Sequence, residues 1–230
     1  MNERLFYNCL AKFLSCFNIL TYHQYGFRSC QSTNMAVFEL VKSITSALSK
    51  RMCAIGVFID LSKAFDTINH SLLLSKLHLP KPASLIVYNI LHGVLQRSIL
   101  GPFLLLLYIN DPQYSSSLLS FTLFADDTTI FHFSTDINSP VDTLNTELTK
   151  ISSSFKANKQ APIKSSQNNF IFFSKSAYPE SIDLLPITID GVSISRVFSH
   201  KFFGVVIDHK LSWSDHIQNQ THFSQLWCHI

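Results

Sequence analysis

The stretch Cys53-Ala54-Ile55-Gly56-Val57-Phe58-Ile59 carries no polar side chain, and the residue that ends it is Asp60. It is too short and too rich in β-branched residues for a core helix. The absence of alternation marks a strand buried on both faces. Any fold for this chain must therefore cover both sides of that strand and place a carboxylate at its end. A second acidic feature lies downstream. Phe121-Thr122-Leu123-Phe124 and Thr129-Ile130-Phe131-His132-Phe133 flank Ala125-Asp126-Asp127, which predicts a hairpin with carboxylates at its tip.

Helices are expected on either side of these strands. Ser32-Thr33 can cap a helix whose apolar side is Met35, Phe38, Val41, Ile44 and Leu48. Asn69 can cap another holding Leu72, Leu73 and Leu77, closed by Pro80 and Pro82. Ser139 as cap, Pro140 at the first helical position and Asp142 in the first turn open a third. Its Val141, Leu144, Leu148, Ile151 and Phe155 follow a 3, 4, 3, 4 spacing. Short strands are expected at Phe170–Phe173, at Ile187–Ile189 before an Asp190-Gly191 turn, and from Phe202 to Ile207.

Composition narrows the class. Hydrophobic residues make up 47% of the 230 positions, 20 of them Phe, and charged residues only 14%, against about 25% in a typical soluble domain. Such a chain can bury a large core, which excludes disordered, collagen-like and disulfide mini-protein classes. One or two globular domains are expected. The formal net charge of +3 and the pI near 8.6 permit an anionic partner without demanding one. Five cysteines (Cys9, Cys16, Cys30, Cys53 and Cys228) form no Cys-x-x-Cys pair and read as reduced, buried thiols. The amino terminus lacks the pattern of a secretory signal. The longest apolar run, Phe103 to Ile109, falls far short of the roughly 20 residues of a membrane span. The expected location is intracellular, nuclear or cytoplasmic, with no membrane.

Acids at adjoining strand ends repel one another unless a cation neutralises them. Mg²⁺ favours one or two carboxylates completed by phosphates and water, and paired ions suit phosphoryl transfer. From spacing alone, Asp-Asp in a hairpin is more often plain turn chemistry.

The surrounding residues sharpen the reading. Phe58-Ile59-Asp60-Leu61-Ser62-Lys63-Ala64-Phe65-Asp66 and Phe124-Ala125-Asp126-Asp127-Thr128 resemble motifs A and C of reverse transcriptases of non-LTR, LINE-type retrotransposons. Gln24-Tyr25-Gly26-Phe27-Arg28 resembles their fingers segment, and Ile99-Leu100-Gly101-Pro102 with Tyr108-Ile109-Asn110-Asp111 the second half of motif B. Phe155-Lys156-Ala157-Asn158-Lys159 resembles motif D. Lys201-Phe202-Phe203-Gly204-Val205 through Ile217 resembles the segment from palm to thumb.

The resemblance implies an α/β (α+β) fold, a reverse-transcriptase-like palm with an antiparallel sheet backed by helices. Residues 1–57 would form partial fingers, 58–199 the palm and 200–230 a truncated palm-to-thumb segment, with the thumb essentially absent. It implies an RNA-directed DNA polymerase in which Asp60, Asp126 and Asp127 are catalytic and bind Mg²⁺, with Mn²⁺ as the alternative ion. Asp60 and Asp126 would be the principal ligands. Phe65 would stack beneath the incoming sugar, and Arg28 and Gln96 would contact the nucleotide. The implied partners are an RNA template, a DNA primer and a dNTP.

Several positions depart from the pattern. Leu95-Gln96-Arg97 stands where the family has Pro-Gln-Gly, and Arg97 adds a charged side chain where glycine lets the backbone approach the nucleotide. The stretch from Asn69-His70 to Gly93 is much shorter than the family's. Ser154 replaces a usual Trp, and Gln167 falls near a usual Lys, for which Lys164 is the candidate substitute. These departures describe a truncated, internally deleted copy that keeps its acids. Two other classes stay open. One is an inactive remnant binding nucleic acid through Lys12, Arg28, Lys156 and Lys159; the other is a Phe-rich interaction protein.

Overall fold

The computed structural model describes residues 2–61, 64–77, 98–135, 140–158, 168–175 and 186–218. Gln96 and Arg97, the Pro80 and Pro82 stop, Ser139, Lys159, Lys164, Gln167 and Cys228 lie outside the described residues.

Five strands form the main sheet. β1 (Cys53–Asp60) lies at its centre, β3 (Asp127–Ser134) pairs with β1 antiparallel, and β2 (Ser120–Phe124) pairs with β3 antiparallel. On the other side of β1 runs antiparallel β4 (Asn169–Phe173), followed by the parallel edge strand β7 (Ser195–Arg196). Two hairpins complete the described strands: β5 (Thr188–Ile189) with β6 (Val192–Ser193), and β8 (Ser199–Phe202) with β9 (Val205–Asp208). The result is a mixed α/β fold dominated by antiparallel pairing, as the sequence implied.

β1 is buried from Cys53 through Ile59, and the pleat divides its residues between two cores. Ile55, Val57 and Ile59 join the larger one. There they meet α4 (Gly101–Tyr108), α5 (Pro140–Ala157), Leu73 of α3 (His70–Leu77) and Leu10 and Leu14 of α1 (Asn2–Cys16). Ala54 and Phe58 face the other way, toward Leu40, Ile44 and Leu48 of α2 (Thr33–Ser49) and Phe202 and Ile207 of the β8–β9 hairpin. Gly56 is required by its neighbour: a Cβ there would lie 2.6 Å from Cε1 of Phe131, its partner across the sheet.

α3 begins as expected, with Asn69 Oδ1 accepting from Leu72 N at 3.1 Å. In α5 all five spaced residues from Val141 to Phe155 are buried. α2 begins where expected too, Ser32 Oγ accepting from Met35 N at 3.2 Å, but its buried face is different. Ala36, Leu40, Ile44, Ala47 and Leu48 pack inward, whereas Met35 and Phe38 are exposed. The two alanines let the helix approach the sheet closely and turn the larger side chains out.

The run from Phe202 to Ile207 is a hairpin rather than one strand. Its bend falls at Phe203 and Gly204, both at positive φ (48° and 87°). Of the described cysteines only Cys53 is buried. Cys9 and Cys16 lie exposed on α1, and Cys30 sits exposed in a turn at φ 62°. The expectation of buried thiols holds for Cys53 alone.

Candidate active site

The β1–β3 register places Asp60 directly opposite Asp127. Opposed residues of an antiparallel pair project from the same face with Cβ atoms about 5 Å apart. Both carboxylates thus stand on the side of the sheet that carries Phe58. Asp126 occupies the two-residue turn between Phe124 and Asp127, preceded by Ala125 at φ 53°. Left-handed backbone at the first turn position matches the twist of the strands on either side.

Three acids gather at this end of the sheet. Among the described residues no lysine, arginine or histidine forms an ion pair with any of the three acids. Asp126 is half-buried; desolvation pushes its carboxyl up, hydrogen bonding from its own amide opposes this, and the charge of Asp60 adds to the rise. Asp127 is exposed at the start of β3, yet the surrounding protein partly desolvates its carboxyl. With the charges of Asp126 and then Asp60, this pushes it up to about 6. The three are not gathered into a metal-holding cluster: among the described residues no group of three or more His, Cys, Asp or Glu could hold an ion. Such an open, electron-rich edge suits an ion that takes one or two protein carboxylates and completes its shell elsewhere.

Asp60 and Asp127 border a cavity of about 90 Å³ whose far wall is the β8–β9 hairpin. His200 stacks on Phe58 with ring centroids 3.9 Å apart, and burial lowers its pKa from 6.5. Phe203 packs on Phe124, the residue that enters the acidic turn, at 4.5 Å. Lys201 lines the same cavity.

Two carboxamides brace the acid-bearing backbone. Gln24 Oε1 accepts from Ala125 N at 3.0 Å, and Asn168 Oδ1 accepts from Asp60 N at 3.3 Å. Neither role could be read locally, since each partner lies about a hundred residues away in sequence. Gln24 stood within the fingers motif without an assigned part, and nothing singled out Asn168 or His200.

Neither Phe65 nor Arg28 lines the cavity bordered by Asp60 and Asp127. Phe65 is buried in the larger core. Arg28 is half-buried, and its Nη1 donates to the Thr21 carbonyl at 2.6 Å. Gln96 lies outside the described residues.

Residues 1–173 match the family described as reverse transcriptase (RNA-dependent DNA polymerase). The chain belongs to this reverse transcriptase family. The RNA-directed DNA polymerase of transposon BS from Drosophila melanogaster is 28% identical over 259 residues, covering 95% of this chain and 27% of that protein. The polymerase of transposon X-element from the same fly is 27% identical over 243 residues, covering 94% and 26%. That of its mobile element jockey is 24% identical over 247 residues, again covering 94% and 26%. The reverse transcriptase chain therefore spans about a quarter of these relatives, and the LINE-type resemblance read from its motifs is borne out. A solved telomerase from Candida albicans covers 91% of the chain and 38% of its own at 13% identity, with a TM-score of 0.47. No helix among the described residues is long and apolar enough to cross a membrane.

Proposed function

We propose that this chain is the catalytic core of an RNA-directed DNA polymerase, weakened by its changes in motif B. It would extend a DNA primer on an RNA template from dNTPs. The observation that carries the reading is the acid pair, Asp60 opposite Asp127 with Asp126 in the adjoining turn, none of them ion-paired among the described residues. A divalent ion, Mg²⁺ or Mn²⁺, would be held by Asp60 and Asp126 as principal ligands with Asp127 beside them. When bound it supplies the positive charge that phosphoryl transfer needs at the attacking and departing oxygens.

The protein contributes geometry. The sheet register fixes the separation of the acids, and the β8–β9 hairpin shields one side of them from water. Phe65 would exclude a ribose 2′-hydroxyl only by leaving its place in the larger core. Arg28 would grip a phosphate only by exchanging its Thr21 partner, and Gln96 would contact the nucleotide. Residues 1–57 serve as partial fingers, 58–199 as palm and 200–230 as the start of the path to a thumb. Leu95 and Arg97 in place of proline and glycine favour a second reading, an inactive remnant that retains nucleic-acid binding.

Primer extension on an RNA template with Mg²⁺ decides between them. The assay compares the natural chain, Asp126→Ala, and a repaired variant carrying Leu95→Pro and Arg97→Gly. Incorporation that disappears in Asp126→Ala supports the polymerase. Incorporation only after repair locates the lesion in motif B. Silence in all three, in Mn²⁺ as well, with salt-sensitive RNA binding, establishes the remnant.

A further inference from the structure

Gln24 belongs to no helix or strand, yet it is 2% exposed. Its backbone is docked onto the free edge of β2. Leu123 N donates to the His23 carbonyl at 2.9 Å and Tyr25 N donates to the Leu123 carbonyl at 2.8 Å, which makes one isolated parallel bridge between Gln24 and Leu123. From that anchored position Oε1 accepts two amides at once, Gly26 N at 2.8 Å and Ala125 N at 3.0 Å. The fit leaves no slack: a Cβ on Gly26 would collide with the Ala125 amide nitrogen. Ala125 is the residue before Asp126, and it holds a left-handed conformation that L-residues other than glycine, asparagine and aspartate rarely adopt.

A turn of this kind can relax by rotating the Ala125 peptide, which would swing Asp126 away from Asp60 while Asp127 stays in register opposite it. Among the described residues, the side chain that holds that peptide's N–H is Gln24. We propose that Gln24 is a positioning residue: its carboxamide locks the Ala125 peptide and so aims Asp126 at Asp60, beside the register-held Asp127. It acts through the backbone and touches none of the acids. The proposal rests on the reading of those acids as the divalent-ion site.

The test uses the full chain and two readouts, Mn²⁺ affinity by electron paramagnetic resonance and backbone amide exchange. Gln24→Met keeps the length and removes the acceptor. The expected result is Mn²⁺ binding weakened about 10- to 100-fold, the range seen when groups that orient metal ligands are lost. Protection at Ala125 and Gly26 should fall with it while the amides of β1 stay protected. Gln24→Glu, which restores an acceptor oxygen, should restore protection at both amides; failure to do so overturns the proposal.

Mn²⁺ bound equally well by the natural chain and Gln24→Met overturns the positioning role and leaves the ion site standing. No Mn²⁺ binding by the natural chain overturns the ion site and the positioning role together. Should Gln24→Met fail to fold, the natural chain still decides. Ala125 and Gly26 amides that exchange as fast as open turns refute the lock, and slow exchange at both supports it.

Discussion

Replacing the buried Asp208 should loosen the wall of the acidic cavity. This residue closes β9 and is 6% exposed. Its Oδ1 accepts from Lys210 N at 2.9 Å and Ser212 N at 3.1 Å, and its Oδ2 from Ser212 N and Trp213 N, both at 2.9 Å, and from Ser212 Oγ at 3.1 Å. Burial alone would push the carboxyl up. Hydrogen bonds from the Ser212, Lys210 and Trp213 amides and the Ser212 hydroxyl outweigh it and hold the group below its ordinary 3.8. Bonds to a charged acceptor contribute about 1.5–3 kcal/mol each, but donors that share one carboxylate are not additive. Asp208→Ala should therefore cost about 3 kcal/mol and Asp208→Asn, which keeps one acceptor oxygen, about 1–2 kcal/mol. At about 2–4 °C per kcal/mol for a domain of this size, the alanine variant should melt about 6–12 °C lower. Because the folded carboxyl is held low, its contribution is complete above pH 3.8 and fades as the pH falls further. The gap between natural chain and Asp208→Asn should be flat from neutral pH down to that value. Calorimetric melting across this range measures it. An alanine variant within about 1 kcal/mol of the natural chain would refute the claim that this one carboxylate organises the turn.

Gly56→Ala should destabilise by about 1–3 kcal/mol, read from the denaturant midpoint, because Phe131 is fully packed and its ring cannot yield to a new Cβ; a neutral substitution would mean the ring has room. Burial lowers the pKa of His200, and also of His23 and His132, from 6.5. At these three sites the unfolded chain binds more protons than the folded one, so their contribution to stability should decline as the pH drops below 6.5, against the opposite contribution of the raised Asp127 carboxyl. His200→Phe preserves a ring against Phe58 and cannot titrate; its stability should decline less between pH 7 and 5, and an unchanged decline rules His200 out as a source.

What the sequence discloses depends on whether a signal is local. The apolar run of β1, the acid-tipped hairpin and the regular spacing in α5 each lie within a few residues, and the structure reproduces all three. The inward face of α2 misleads because size is a poor guide to burial: Ala36 and Ala47 go in, Met35 and Phe38 stay out. The β8–β9 bend hides inside an apolar run because Phe203 takes a conformation usual for glycine. At the site, the acids are visible as motifs. Which pair faces across the sheet is not, since that follows from register. The braces from Gln24 and Asn168 connect segments that meet only after folding.

The opposition of Asp60 and Asp127 is set by eight successive cross-strand partners, from Cys53 with Ser134 to the acids themselves. A slip of one residue would turn every side chain of β3 over and drive Asp127 into the layer of Ile55, Val57 and Ile59. Such a slip is opposed by the whole sheet, so the spacing of the acids is inherited from the core rather than maintained locally. Mutational drift in loops and outer helices can therefore silence a chain like this long before it separates the two carboxylates.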